Sequence, residues 1–545
     1  MNAYQSMVEL QDTIDQVLAG FLNNVNYNVV REECLELVKS DVSLSRHAKP
    51  VRDQLLSNLG VGRSERGDML RMKYILEHAI AAVNSYLNWV LDDLETAFSD
   101  HGVSEYELDR LTSALATEAL SGGRSQRALY NLKRVLLTPR PFPESWSQFR
   151  HELFCRRTFT CCFALKTPAD SGVTDDGVLK ALTDSGINVV KGSCLVDDLL
   201  GLAKAVSTNS YYLVYRVHAP DPYSAADTAR SRLSSNVDFM RFFHLDGLTA
   251  SPNCSVIEHG SSRPLNVQEH DSAGWLKLKP RFNANLARGL AEMLLDSSYP
   301  EYTISNLRGA LRHHRIASES VSHSSRFLSL WVALESFCRC EFPDSSIQGI
   351  RERIPKVLCR RYLYRLLRNY AEDCDRVDPS ILNGVVDRAG SQLDRVRSLL
   401  EAIQDPQQRA SIEARCTPHS LLRHRMIQLH DVFTTPSRLK QILQHHCTSL
   451  DRHLQRLYRV RNMIAHRGDP GESLDANSGR LQLLADHLEE YLVEAVLETS
   501  HLMRTAEIKD LRTAFARVQD NHDAVQSILA QSKNIDIDLV LSGCI

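Results

Sequence analysis

The chain has 545 residues, 43 % hydrophobic and 24 % charged, a globular composition that excludes wholesale disorder. Its formal net charge is −3, so no global basic field draws in nucleic acid, and any such binding must rest on a local patch. At this length several domains are expected, each able to bury a core.

The first residues, MNAYQSMVELQDTIDQ, carry acids and no apolar run, so they do not read as a signal peptide. Apolar stretches along the chain are shorter than the ~18–20 residues a membrane span needs. The 13 cysteines are scattered and form no C-x-x-C, which leaves a zinc ribbon or a thioredoxin-type site unsupported and suggests free thiols in a reducing compartment. We expect a soluble, cytoplasmic protein that makes no membrane contact.

Residues 1–145 read as an N-terminal helical region. Within it, 68–98 (DMLRMKYILEHAIAAVNSYLNWVLDDLETAF) reads as one long helix with Leu70, Tyr74, Ile75, Ala79, Ala82, Tyr86, Trp89, Val90 and Leu94 on its buried stripe. PRPFPESW (139–146) reads as a proline-rich break.

The pattern then changes. In 146–298, β-rich stretches at 157–167, 187–192, 211–219 and 254–260 alternate with helical ones at 176–186, 196–206 and 224–243. This predicts a small α/β or α+β domain, a possible sensor or regulatory element. No Gly-rich phosphate loop is present.

From 299 the chain returns to helix. SSRFLSLWVALESFCR (324–339) places Phe327, Leu330, Trp331, Leu334, Phe337 and Cys338 on one stripe, with Glu335 among them. Trp331 reads as core. A polar, Arg-rich section of mixed helix and loop, about 340–445, follows, then two apolar-striped helices and a helical tail, 506–545. The basic run at 351–368, interleaved with Tyr362 and Tyr364, and the cluster His445, His446, Cys447 and His453 both read as solvated helix faces. The spacing of the second matches no zinc site.

YRVRNMIAHRGDP (458–470) is the informative stretch. Arg461, Asn462 and His466 fall within two helical turns, and Gly468 and Pro470 should end the helix just beyond. A guanidinium, an amide and an imidazole projecting from one helix end suit a scissile phosphate: the Arg binds non-bridging oxygens and the His moves a proton. The Arg-x4-His spacing alone decides nothing, since it also occurs at Arg308/His313 and Arg425/His430. What sets 461–466 apart is the Asn after the Arg, the late position in an apolar helix, and the Gly-Pro stop.

Together with RFLSLWVALESF, the stretch LYRVRNMIAHRG resembles the HEPN superfamily, in its Apea-like bacterial branch. The resemblance covers about 299–505, with an insertion at about 340–445. It implies a C-terminal HEPN helical bundle, Arg461, His466 and Asn462 as catalytic residues, and Glu335 as a supporting acid. Arg459 and Arg467 flank the motif as candidate RNA contacts. The implied activity is metal-independent endoribonuclease action on RNA, with no cofactor and no bound metal. The implied setting is antiphage or abortive-infection defence, with a homodimer joined through the motif helix and a possible phage-derived trigger. A non-catalytic HEPN scaffold that binds RNA or protein is the alternative.

Overall fold

The computed structural model describes residues 1–62, 65–99, 104–166, 183, 187–198, 207, 210–242, 249–261, 263–268, 284–320, 322–339, 346–387, 389–467 and 478–541. Among these, helices predominate, and the strands form one five-stranded sheet of order β2-β3-β1-β4-β5. Every pairing in that sheet is antiparallel, so the chain is mostly α with a central α+β region. It divides into two compact units, one of Met1–Arg281, Ala317–Leu328 and Arg459–His487, the other of Phe282–Ile316, Ser329–Tyr458 and Leu488–Ile545.

The first unit opens with nine helices, α1 (Ala3–Leu18), α2 (Asn24–Ser40), α3 (Val42–His47), α4 (Lys49–Leu59), α5 (Arg66–Ala82), α6 (Tyr86–Ser99), α7 (Glu105–Ser121), α8 (Gln126–Leu136) and α9 (Phe142–Phe154). Side chains of Asn2, Asn23, Asp41, Ser104 and Ser125 cap five of them by accepting a hydrogen bond from a first-turn amide. Met7, Leu10, Ile14, Tyr27, Leu76, Val90 and Leu94 build their common core.

The single helix expected over 68–98 is two helices. Val83, Asn84 and Ser85 form a turn between α5 and α6, where Asn and Ser disfavour helix interiors because their side chains compete for the backbone. The inward face of α5 is Met69, Met72, Leu76 and Ala79, whereas Leu70 and Tyr74 are exposed. The proline-rich segment does interrupt the helices, with residues 137–141 outside both α8 and α9, but helix resumes within it. Pro143 occupies the first turn of α9, where its missing N–H has no intrahelical partner to lose, and Trp146, Phe149 and Leu153 join the helical core.

The sheet comprises β1 (Arg157–Lys166), β2 (Val189–Lys191), β3 (Tyr211–Ala219), β4 (Thr249–Glu258) and β5 (Leu265–Val267), with helices α10 (Gly192–Asp198) and α11 (Pro222–Phe242). Alternation along β1 sends Phe159, Cys161, Phe163 and Leu165 to one face, where they meet Tyr223, Ala225, Ala226, Ala229 and Leu233 of α11. The small alanines let α11 approach the sheet closely. Cys162 points the other way, to Leu195, Tyr212 and Ile257. Strands β1 and β3 lie where the apolar alternation puts them. Strand β4 begins earlier than expected, at Thr249, and β5 is additional. The helix expected at 176–186, apart from residue 183, lies outside the described residues, as do residues 199–206.

Asp221, just before α11, is 4 % exposed. Its carboxylate accepts from Ser125 N (3.0 Å), Ser125 Oγ (2.9 Å), Tyr223 N (3.0 Å), Ser224 N (2.9 Å) and Ser224 Oγ (2.7 Å). It therefore caps α11 and ties that end to the start of α8.

The second unit draws on α12 (Ala284–Leu295), α13 (Glu301–Glu319), α14 (His323–Cys338), α15 (Ser346–Cys359), α16 (Tyr362–Val377), α17 (Gln392–Gln404), α18 (Pro406–Arg415), α19 (Ser420–Val432), α20 (Pro436–Arg467), α21 (Ser478–Thr505), α22 (Leu511–Gln531) and α23 (Ile537–Leu541). The Arg-rich section has a helical core of its own, in which Leu367, Tyr370, Cys374, Leu399, Ile403, Cys416 and Met426 pack together. Leu529, Val540 and Leu541 belong to the same core, so the C-terminal helices are integral to it.

Removing the Asp221 carboxylate orphans several buried donors at once. Asp221→Ala is expected to cost about 3–5 kcal/mol and Asp221→Asn less, read by urea denaturation with circular dichroism.

Candidate functional site

The motif lies on the last turns of α20, a 32-residue helix. Leu454, Leu457, Val460 and Ile464 are buried and fix which way the helix faces. Arg459, Met463 and His466 follow at steps of four and three residues and so share one stripe.

That stripe meets α1. Arg459, 4 % exposed, pairs with the Glu9 carboxylate. Gln16 Nε2 donates to Met463 Sδ (3.4 Å). Phe21, just past the end of α1, stacks on the His466 ring with centroids 6.3 Å apart and planes at 21°. The three contacts occur in the same order on both segments, so α1 runs alongside the end of α20 in the same direction. Arg459 is therefore a packed, ion-paired residue, and burial of its guanidinium leaves it poorly placed as the RNA contact expected of it.

Asn462 is 5 % exposed and accepts a hydrogen bond at Oδ1 from Arg461 Nη1 (3.1 Å). Arg461 is half-buried, and His466 is exposed. The amide thus holds the guanidinium, while the imidazole keeps one side open to solvent. Residues five apart on an α-helix are about 140° apart around its axis, so Arg461 and His466 leave the helix on different sides.

Glu335 and Trp331 belong to the second unit. The indole Nε1 of Trp331 donates to Glu335 Oε1 (2.6 Å), and its ring lies 5.8 Å from that of Tyr458. Trp331 is fully buried, a core residue as its spacing suggests. The side chain of Arg467 and the whole of Gly468, Asp469 and Pro470 lie outside the described residues.

The competing Arg-x4-His pairs have other contacts. Arg308 donates to the Leu294 carbonyl (3.0 Å), and Arg425 pairs with Asp373. The spacing falls again at Arg517/His522 on α22, with Val518 where the motif has Asn.

The His445–His453 stretch is not the solvated face expected. His446, Cys447 and His453 are half-buried. His446 stacks on Tyr362, with centroids 3.7 Å apart and planes at 11°, and His453 Nδ1 is 2.7 Å from Tyr491 Oη. Burial first, then the charges of Arg365 and His445, push the His446 imidazole down to about 4. The basic run is likewise engaged: Arg351 makes a bidentate pair with Asp451 (2.7 and 3.0 Å), Arg361 pairs with Glu498 (2.8 Å), and Arg365 pairs with Glu494.

Among the described residues no group of three or more His, Cys, Asp or Glu could hold a metal ion, and no helix is long and apolar enough to cross a membrane. Glu9, Gln16 and Phe21 carry no local signal of their role, because their partners are more than 440 residues away in the chain.

No family model, no curated protein and no solved structure matches this chain.

Glu9→Ala strips Arg459 of its carboxylate in a buried setting and is expected to destabilise by about 3–5 kcal/mol. Glu9→Gln, which keeps an acceptor, should cost less; thermal unfolding of both variants makes the comparison. For His446, the unfolded chain takes up a proton as pH falls below about 6.5 while the folded form resists until about 4. Stability should therefore decline across that window, and His446→Gln should flatten part of the decline in unfolding curves recorded at each pH.

Proposed function

We propose that this chain is a metal-independent endoribonuclease of the HEPN type. In this reading the ribose 2′-OH attacks the adjacent phosphorus, leaving a 2′,3′-cyclic phosphate and a 5′-OH. His466 moves the proton, Arg461 stabilises the charge building on the non-bridging oxygens, and Asn462 holds the guanidinium in place. What carries the reading is an exposed imidazole on the last turns of a packed helix that also bears an Arg whose guanidinium is bonded to its neighbour's amide.

One imidazole cannot readily serve both proton transfers, and Arg461 and His466 leave the helix on different sides. A homodimer joined through the end of α20 answers both points by bringing two motifs to one cleft, with two imidazoles for the two proton transfers and the Arg of each copy set against the His of the other. Glu335 is the supporting acid in this reading. Residues 146–298 restrain or trigger the nuclease, and the setting is a cytoplasmic antiphage or abortive-infection response to a phage-derived signal.

The packing of α1 against Arg459, Met463 and His466 favours a second reading, in which the helix end is structural and the domain a scaffold that binds RNA or protein without cutting it. Incubation with total RNA in EDTA separates the two. Cleavage leaving cyclic-phosphate ends, reduced roughly 10²–10⁴-fold by His466→Ala and by Arg461→Ala with the fold intact, supports the nuclease. RNA binding without cleavage supports the scaffold. Mixing the two inactive variants tests the shared cleft: mixed dimers hold an intact Arg461 and an intact His466 on different copies, so activity above that of either variant alone supports it and no recovery counts against it.

A further inference from the structure

The strongest feature that the proposed chemistry does not use lies in the second unit. Cys359 ends α15 and is buried, whereas Cys447, on α20, is half-buried. The two helices are tied by the bidentate Arg351–Asp451 pair (2.7 and 3.0 Å). Arg351 meets Asp451 and, further along, Tyr362 meets His446, so the two segments run in opposite directions and Cys359 falls at the level of Cys447. The Cys359 thiol and the Cys447 sulfur lie close enough that each shifts the other's hold on its proton. On the flanks, Tyr362 stacks on His446, and Lys356 binds the Gln519 amide oxygen.

We propose that Cys359 and Cys447 form a redox-active dithiol that a hydroperoxide converts to a disulfide.

The environment divides the labour between the sulfurs. The adjoining Cys359 thiol, aided by the Lys356 charge, lowers Cys447 against the opposing effect of burial and of Asp451. Asp451 also binds Arg351 and accepts from Gln455 Nε2 (2.8 Å), which draws its charge away from the sulfur. Cys359 is pushed up by Cys447 and by burial and stays a thiol. A half-buried sulfur with thiolate character beside a buried thiol is the arrangement of an attacking and a resolving cysteine.

The steps balance. Cys447 thiolate attacks one oxygen of the hydroperoxide; the S–O bond forms, the O–O bond breaks, and the leaving oxygen takes a proton. Sulfur is oxidised to a sulfenic acid and the peroxide is reduced. Cys359 sulfur then attacks Cys447 sulfur; the S–S bond forms, the S–O bond breaks, and hydroxide leaves as water with the proton from Cys359. The product clamps the end of α15 to α20. This chemistry is independent of the nuclease reading, since it uses no residue of the motif.

The test uses the full-length wild-type chain. It is exposed to one equivalent of hydrogen peroxide, alkylated, digested with trypsin without reduction, and weighed. The expected product joins peptide 357–360 to peptide 441–452, ~2 Da lighter than the two reduced peptides together, and dithiothreitol releases it. In Cys359→Ser, a sulfenic-acid probe such as dimedone should label Cys447 at least about tenfold more than the exposed Cys194. The proposal is overturned if wild type yields no joined peptide and Cys447 is oxidised no faster than Cys194. Because the decisive measurement uses wild type, loss of folding in the serine variant cannot obscure it.

Discussion

The buried pair of Arg459 and Glu9 is the constraint on which the candidate site depends. A guanidinium 4 % exposed is tolerable only with a carboxylate beside it, so α20 can seat against α1 in few registers. Once Arg459 is placed, helical geometry carries Met463 to Gln16 and His466 to Phe21, and turns Arg461 away from α1. The charge that looks like a ligand contact is what aims the neighbouring residues.

A similar economy holds elsewhere. In the first unit a single carboxylate, Asp221, satisfies the start of α11 and the residue that caps α8, joining the helical part to the sheet region by polar contacts. In the second unit the Arg-rich section is not a decorated loop but a core built on Tyr370, Leu399 and Ile403 and completed by C-terminal residues such as Leu541.

Patterning made the central strands, the Trp331 stripe and the predominance of helix readable, because burial on one face leaves a period of two or 3.6 in the residues themselves. The same reasoning carried 68–98 through as one helix: its stripe persists across Asn84 and Ser85, and only the packing of α5 on Met69, Met72 and Leu76 shows that the inward face changes. Arg459, His446 and Cys447 were legible only as polar residues on a helix. Their burial follows from Glu9, Tyr362 and Cys359, which are distant in sequence, and one chain without its contacts offers no sign of such pairs. Phe21 is the extreme case: an exposed aromatic after a helix end, informative only when His466 stands beside it.

The thiols described in both cores have one further consequence. Cys34, Cys161, Cys162 and Cys254 are buried in the first unit, and Cys374 and Cys416 in the second. None can meet an alkylating reagent without local opening. The chain thus carries an intrinsic set of chronometers, in which the order of labelling ranks how often the sheet, the amino-terminal helices and the Arg-rich core breathe.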